Sequence, residues 1–217
     1  DRPAEDLIAV TMPGPATGDR TLRSARALAA CASVRLVEIP IAAAVAQHLD
    51  DLGHDPEMHD VTFENAQARE RTQLLFNLAN KHGGLVVGTG DLSELALGWC
   101  TFNGDHMASY NVNASVPKTL IAYLVRWYAR HRVDGAFAAM LDEVLATPIS
   151  PELVPGRSEE EVAQHTETLV GPYELHDFFL YHYVRHGSAP EKIRWLAGRA
   201  FGDRYDGATI ERWLGDF

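Results

Sequence analysis

The chain has 217 residues, which suits one domain with a sizeable core or one domain with a small appendage. Its formal net charge of -11 argues against a nucleic-acid-binding surface, which needs a broad basic field. The two cysteines, Cys31 and Cys100, form no CxxC pair, so we expect neither a disulfide framework nor a cysteine-rich metal site. No stretch approaches the ~20 apolar residues of a membrane helix, and no signal peptide is recognisable. Together these features predict a cytoplasmic protein that does not bind a membrane.

The first half alternates between apolar runs and amphipathic stretches. This order predicts right-handed crossovers and a parallel sheet. The expected strands cover 7–11, 34–39 and 85–87, and the expected helices cover 19–32, 41–52 and 62–81. Asp19 and Thr62 are expected to cap the first and third of these helices. Leu74, Leu75, Leu78 and Ala79 are expected to form the buried stripe of the third.

The stretch from Gly83 to Glu94 has the strongest local pattern. Its short apolar run, 85–87, has no alternation and is expected to be a strand buried on both faces. Asp91 and Glu94 are spaced as a capping box for the helix that follows. Polar groups at the carboxyl end of such a strand lie where open α/β sheets bind ligands. Helix capping alone accounts for both carboxylates equally well.

The second half is expected to be helical and to pack against the sheet. A polar loop over 101–113 precedes it, and a break follows Thr147. A capping box of Ser158 and Glu161 opens one short helix. The other helices are expected over 117–130, 135–146, 173–186, 190–200 and 207–217. The sequence therefore predicts an α/β fold with a Rossmann-like parallel sheet flanked by helices, its sheet core in 1–98 and its substrate loops and helical part in 99–217.

Four motifs allow both a functional and an ordinary structural interpretation. The polar run 64–71 suits phosphate or hydrogen-bond recognition at a helix start, or is a solvated face. Trp99 and Phe102 could stack on a planar ring whose edges Asn103 and Asp105 bind, or belong to a core and a turn. Lys118 at a helix start opposes the dipole, which indicates a phosphate or carboxylate partner or a plain surface lysine. The His182 and His186 pair lacks a third zinc ligand.

Seven stretches taken together resemble the synthetase domain of the glutamine-dependent NAD synthetases, an ATP-pyrophosphatase family of the adenine-nucleotide α-hydrolase type. The resemblance covers essentially the whole chain in order, and the combination is specific although each piece alone is weak. The stretches are Val10–Gly14, Asp19–Thr21, Glu64–Arg69, Val86–Trp99, Tyr110–Asn113, Val116–Thr119 and Gly171–Phe178.

The resemblance implies an amide-forming ligase. ATP would adenylate the carboxylate of deamido-NAD, and ammonia, free or from glutamine, would displace AMP to give NAD, with magnesium as the metal and pyrophosphate released. It implies that Thr89 contacts ATP and that Glu94 contacts magnesium and deamido-NAD. It also places five further residues at the deamido-NAD site: Asn65, Trp99, Cys100, Thr101 and Phe102. Family members pair their synthetase domains, so a homodimer or higher homo-oligomer is expected.

The resemblance also has departures. The family usually has a small residue at the position of Cys100, and the loop 15–18 lacks the usual aromatic residue. The family's phosphate loop, Ser-Gly-Gly-x-Asp-Ser, and its C-terminal substrate lysine are expected outside these 217 residues, as is the glutaminase domain. On that basis the chain is expected to be a fragment without activity of its own. The alternatives are another ATP-pyrophosphatase amidotransferase, forming GMP or asparagine, and a non-catalytic nucleotide-binding or dimerisation module.

Overall fold

The computed structural model describes residues 4–15, 17–55, 57–104, 106–147 and 170–217. The expected break after Thr147, the capping box of Ser158 and Glu161, and Asp105 lie outside these residues. The described elements form a mixed α/β fold with short parallel strands, which confirms the predicted fold class. The strands are β1 Ile8–Thr11, β2 Arg35–Glu38, β3 Val87–Gly88 and β4 Tyr110–Asn111. The helices are α1 Asp19–Cys31, α2 Ala42–Asp51, α3 Val61–His82, α4 Leu92–Leu97, α5 Lys118–His131, α6 Gly135–Ala146, α7 Tyr173–Leu180, α8 Pro190–Phe201 and α9 Gly207–Asp216.

The N-terminal part is a β-α-β unit. β1 and β2 pair in parallel, as the sequence predicts, and their register places Ile8 opposite Arg35 and Thr11 opposite Glu38. A cluster of buried side chains from α2, its preceding loop and α3 forms the core here. These side chains are Ile41, Val45, Leu49, Phe63 and Ala66. The cluster fixes the start of α3, which is the part of this helix that reaches the candidate site.

The expected single sheet is present as two separate parallel pairs within the described residues, β1 with β2 and β3 with β4. The prediction that 85–87 is buried on both faces is wrong. Only Val86 is buried, whereas Leu85 is 61% and Val87 52% exposed. The reason is that β3 has just two residues and pairs on one side with an equally short β4, so little of its surface is covered.

Gly88 lets β3 approach β4 closely. A Cβ atom at this position would lie 1.9 Å from Oδ1 of Asn111 and 2.5 Å from Cβ of Ala108. Both distances are far below van der Waals contact, so the glycine is required for the pairing. Gly88, at the end of the apolar run, therefore lets the chain lie directly beside Asn111.

Helix starts differ from the prediction at two positions. Asp60, rather than Thr62, caps α3: its Oδ1 accepts the amides of Thr62 and Phe63 at 2.8 and 3.1 Å. Gly18, rather than Asp19, occupies the cap position of α1, and it makes no side-chain cap bond. Sequence patterns identify a helix cap by its polar side chain, which glycine lacks. They therefore indicated the neighbouring Asp19.

Burial on α3 also differs from the prediction. The fully buried side chains lie in its first half, at Phe63, Ala66, Gln67, Ala68 and Thr72. The expected stripe of Leu74, Leu75, Leu78 and Ala79 is half-buried. Burial is greatest where α3 meets the α2 core and the loop after α4, which is the end that carries the polar run 64–71.

The C-terminal helices pack around a second core. Its buried members are Leu175, Phe179, Ile193, Ala197, Ile210 and Trp213, from α7, α8 and α9. The predicted helix 173–186 is confirmed as α7 followed by a π-helical turn, Tyr181–Arg185. In the described ranges we find no helix with both the length and the apolar character needed to span a membrane.

His176 is the polar member of this second core and is 2% exposed. Its Nε2 lies 2.5 Å from the carbonyl oxygen of Val170, so this nitrogen carries the proton and donates. Its ring contacts Trp213 edge-on at a centroid distance of 5.9 Å. Burial lowers the pKa of His176, against smaller opposing effects of the Val170 hydrogen bond, Asp177 and Asp216.

This burial predicts an acid-sensitive core. Below about pH 6.5 the unfolded His176 takes up a proton that the folded one refuses, so stability is lost as pH falls towards the lowered pKa of the folded state. His176→Gln cannot titrate and should lose less unfolding free energy between about pH 7.5 and about pH 5.5. Urea titrations at both pH values measure the difference. His48→Gln, an exposed change, is the control and should behave as wild type. Equal losses in wild type and His176→Gln would contradict this account.

Candidate active site

The start of α4 confirms the predicted capping box. Oδ1 of Asp91 accepts the amide of Glu94 at 2.9 Å, and Oε2 of Glu94 accepts the amide of Asp91 at 3.2 Å. Asp91 is 2% exposed, so its carboxylate is held away from water. The helix is short and ends at Gly98, whose φ of 66° is left-handed and suits glycine. Both carboxylates are thus fixed in direction by the backbone of α4.

Lys118 lies between these two carboxylates. Its Nζ is 2.8 Å from Oδ2 of Asp91 and 2.8 Å from Oε1 of Glu94. The Tyr173 ring covers the ammonium group at 5.2 Å from the ring centroid. The local conflict predicted for a cation at the start of α5 is therefore resolved by carboxylate partners, one of the two kinds that the sequence indicated.

The surroundings of Lys118 stabilise its protonated, positively charged form. Burial works against its charged form, but the hydrogen bonds and charges of Asp91 and Glu94 outweigh it, and the pKa of Lys118 stands above its usual value. Burial is also the main cause that raises the pKa of Tyr173 to about 12. At neutral pH the site therefore presents a charged ammonium beside a protonated phenol.

A third carboxylate, Asp177 on α7, bonds to the first residues of α4 and α5. Its Oδ2 accepts both the amide and the hydroxyl of Thr119, at 2.8 and 2.6 Å. Its Oδ1 accepts the hydroxyl of Ser93. The Ser93 oxygen in turn accepts the amide of Lys118 at 2.9 Å. These bonds join the starts of α4 and α5 to α7.

The loop after α4 docks on the start of α3. Oγ1 of Thr101 donates to Oδ1 of Asn65 at 3.0 Å. Nε of Arg69 donates to the Phe102 carbonyl at 3.3 Å, and the Thr72 hydroxyl donates to the Gly104 carbonyl at 2.7 Å. The polar run 64–71 is therefore not a solvated face, because it holds the loop that carries most of the expected substrate residues.

A cavity of about 250 Å³ opens between this loop and α4. Its lining brings together three of the predicted site residues, Thr89, Glu94 and Cys100. Gly90, Leu95 and His106 complete the lining. The cavity lining thus combines a hydroxyl, a carboxylate, a thiol and an imidazole. Lys118 is linked to this lining by its ion pair with Glu94.

The other predicted residues surround this cavity without lining it. Asn65 on α3 and Thr101 in the loop are hydrogen-bonded to one another. The two aromatic residues face solvent, Trp99 with 36% and Phe102 with 74% of its surface exposed. Exposure of this kind fits rings that are covered only when a partner binds, and it does not fit the alternative of a core aromatic residue.

Sequence reasoning assigned no role to His106, Ser93, Tyr173 or Asp177. Nδ1 of His106 lies 2.8 Å from the Thr101 carbonyl, so this nitrogen donates. A signal existed for Asp177, which stands directly before the apolar residues 178–180 of α7. The side chain is 6% exposed, and a carboxylate buried in this way needs hydrogen-bond donors. Those donors lie 58 and 84 residues away, beyond the reach of local patterns.

Comparison with known proteins identifies the family. The family model described as NAD synthase matches residues 3–198. The chain belongs to the NAD synthase family. The glutamine-dependent NAD(+) synthetase of Mycobacterium leprae is 47% identical over 208 residues, which cover 93% of this chain and 30% of that protein. The chain therefore spans about a third of the length of the curated relatives it matches.

Solved structures agree with the NAD synthase assignment. A glutamine-dependent NAD+ synthetase from Acinetobacter baumannii, determined with adenosine diphosphate, is 26% identical with a TM-score of 0.54, over 95% of this chain and 34% of that one. The Cytophaga hutchinsonii glutamine-dependent NAD(+) synthetase has a TM-score of 0.71 at 18% identity, over 95% and 32% of the two chains. At that identity it supports the α/β fold alone.

The geometry of Lys118 predicts a stability effect. Lys118→Met would leave the Asp91 carboxylate buried without its counter-charge, at a cost of ~3 kcal/mol of unfolding free energy. Denaturant unfolding at neutral pH measures the loss. Lys192→Met alters an exposed lysine on α8 and should change stability by less than about 0.5 kcal/mol. A loss as small as that of the control would show that Lys118 does not neutralise the buried carboxylate.

Proposed function

We propose that this chain carries the ligase site that converts deamido-NAD to NAD. In the first step the carboxylate of deamido-NAD attacks the α-phosphorus of ATP, which forms an acyl-adenylate and releases pyrophosphate. In the second step ammonia attacks the acyl carbon, AMP leaves with the electron pair of the broken bond, and one proton is lost. Activation is needed because a carboxylate has no good leaving group of its own.

The cavity beside α4 is the observation that carries this proposal. It unites the predicted ATP contact Thr89 with the predicted deamido-NAD contacts Glu94 and Cys100. The two reactants must meet at one place, since effective catalysis depends on holding the reacting groups together. In the proposed arrangement Asn65 and Thr101 shape the loop wall, while Trp99 and Phe102 close over the flat ring systems of the substrates from the rim.

Lys118 supplies the cation that phosphate chemistry needs. An ammonium group has three donors, and Asp91 and Glu94 occupy two of them. The third donor would bind a phosphate oxygen of ATP. Tyr173 excludes water from one side of the ammonium group, which strengthens this interaction in the transition state.

The residues present fit a magnesium ion through Glu94. Each Glu94 oxygen accepts a single bond from Asp91 or Lys118, which leaves a lone pair on each. Asp91, Glu94, Asp177 and Lys118 together carry a formal charge of -2, which favours an added cation. The described residues contain no group of three potential metal ligands, so phosphate oxygens and water would complete the shell. Magnesium, when bound, would neutralise charge on the phosphate oxygens.

The proposal includes partners beyond the small substrates. Ammonia would come from glutamine through a glutaminase domain, as the names of the relatives suggest.

A homodimer is proposed from the exposed apolar side chains along α5, which are Leu120, Tyr123, Leu124 and Trp127. Light scattering of the chain should give twice the monomer mass of 23.9 kDa, and a monomer at all concentrations would remove the dimer from the proposal.

Calorimetry tests the substrate assignment. The chain should bind deamido-NAD in the presence of magnesium and should not bind xanthosine monophosphate, the precursor of GMP.

Glu94→Gln removes the negative charge and one of the paired oxygens, so it should weaken deamido-NAD and ATP binding at least tenfold, the effect of one charge-assisted hydrogen bond. Leu95→Met, a similar-sized change in the same lining, is the control. Unchanged binding by Glu94→Gln would remove this residue from the site, and preference for the guanylate precursor would contradict the proposal.

A further inference from the structure

Helix α5 begins without a cap of its own. Its cap position is Pro117, which has no side-chain donor or acceptor and makes no cap bond. Its first residue is Lys118, whose charge repels the positive end of the helix dipole. A 14-residue helix with this start needs its free amides satisfied from elsewhere.

Two distant side chains satisfy these amides. The amide of Lys118 donates to Ser93 on α4, and the amide of Thr119 donates to Asp177 on α7. The amide of Leu92, at the start of α4, donates in turn to the Val116 carbonyl at 3.1 Å. The start of α5 is therefore fixed against α4 from both directions.

The Asp177 carboxylate is the centre of this arrangement. Both of its oxygens are occupied by donors, and its negative charge lies at the positive end of α5. Ser93 is fully buried, and its hydroxyl donates to Asp177 while it accepts from Lys118. The Ser93 hydroxyl has a single proton, which it donates to Asp177. Because this bond fixes the direction of the proton, the lone pairs of the Ser93 oxygen face the Lys118 amide.

We infer that Asp177 is a positioning residue that holds the backbone of Lys118 so that its ammonium group lies between Asp91 and Glu94. Nζ sits at the end of a flexible four-carbon chain, and holding that chain so that Nζ lies 2.8 Å from both carboxylates costs side-chain entropy. A backbone that is already fixed within reach of both carboxylates adds no further ordering cost. Asp177 itself touches neither the cavity lining nor the ammonium group in the contacts described. Its influence on nucleotide binding rests on the function proposed above, whereas its influence on Lys118 does not.

Nitrogen-15 spectra of the lysine ammonium groups at one fixed pH test the inference directly. The chain has three lysines, Lys81, Lys118 and Lys192, so assignment is simple. An ammonium group held by two carboxylates exchanges its protons slowly and gives a cross-peak. Wild type should show this cross-peak for Lys118, identified by its loss in Lys118→Arg. Asp177→Asn should lose it, because an amide cannot accept the same donors on both sides.

Matched variants separate positioning from a general loss of stability. Asp206→Asn removes another capping carboxylate, which accepts the Thr209 amide at 2.7 Å at the start of α9, and it should keep the cross-peak. Ser93→Ala breaks the link between Asp177 and Lys118 and should lose the cross-peak even if Asp177→Asn fails to fold. An unchanged cross-peak in Ser93→Ala or in folded Asp177→Asn overturns the inference, as does its absence from wild type.

ATP titration calorimetry gives the functional readout. A purely structural role would lower the folded fraction, and hence the stoichiometry, without changing the dissociation constant of the folded molecules. Positioning predicts a dissociation constant for Asp177→Asn that is higher by roughly tenfold or more, the effect of one misplaced charge-assisted contact. Equal dissociation constants would contradict the nucleotide-binding role of Asp177. If wild type binds no ATP, the proposed function fails, while the ammonium spectra still decide the inference.

Discussion

The bonds from the buried Asp177 carboxylate to Ser93 and Thr119 determine how α7 meets the starts of α4 and α5. They are the described side-chain hydrogen bonds that bring α7 onto the starts of both α4 and α5. A carboxylate buried to this extent is tolerated only when its oxygens have donors, so α7 and the starts of α4 and α5 must adopt one relative arrangement. The position of Lys118 between Asp91 and Glu94 follows from that arrangement.

The opposite wall of the cavity depends on α3. Its first turns are buried in the N-terminal core, and Asn65, Arg69 and Thr72 hold the loop residues 101–104 by hydrogen bonds. The same part of the helix therefore serves stability and site construction. This explains why amides and charges are packed closely in a helix start that would otherwise be apolar.

Local patterns in the sequence predicted much of this fold and part of the site. The capping box of Asp91 and Glu94, the β1-α1-β2 order and the boundaries of α6 depend on neighbouring residues, and the structure confirms them. Burial of 85–87 depends on which strands pair, and a two-residue β4 is invisible in the sequence. The role of Asp177 depends on donors from two distant helices. The resemblance to the glutamine-dependent NAD synthetases predicted which residues belong to the site, but not the contacts between them.

Hydrogen exchange of the wild-type chain, with and without deamido-NAD, ATP and magnesium, tests the location of the site most directly. Exchange should slow in peptides that cover the cavity lining, 89–106, and the start of α5, 117–120. Peptides from α1 and α9 should be unchanged, because neither helix reaches the cavity. Protection confined to α1 or α9, or no protection anywhere at saturating ligand, would contradict the claim that this cavity is the nucleotide site.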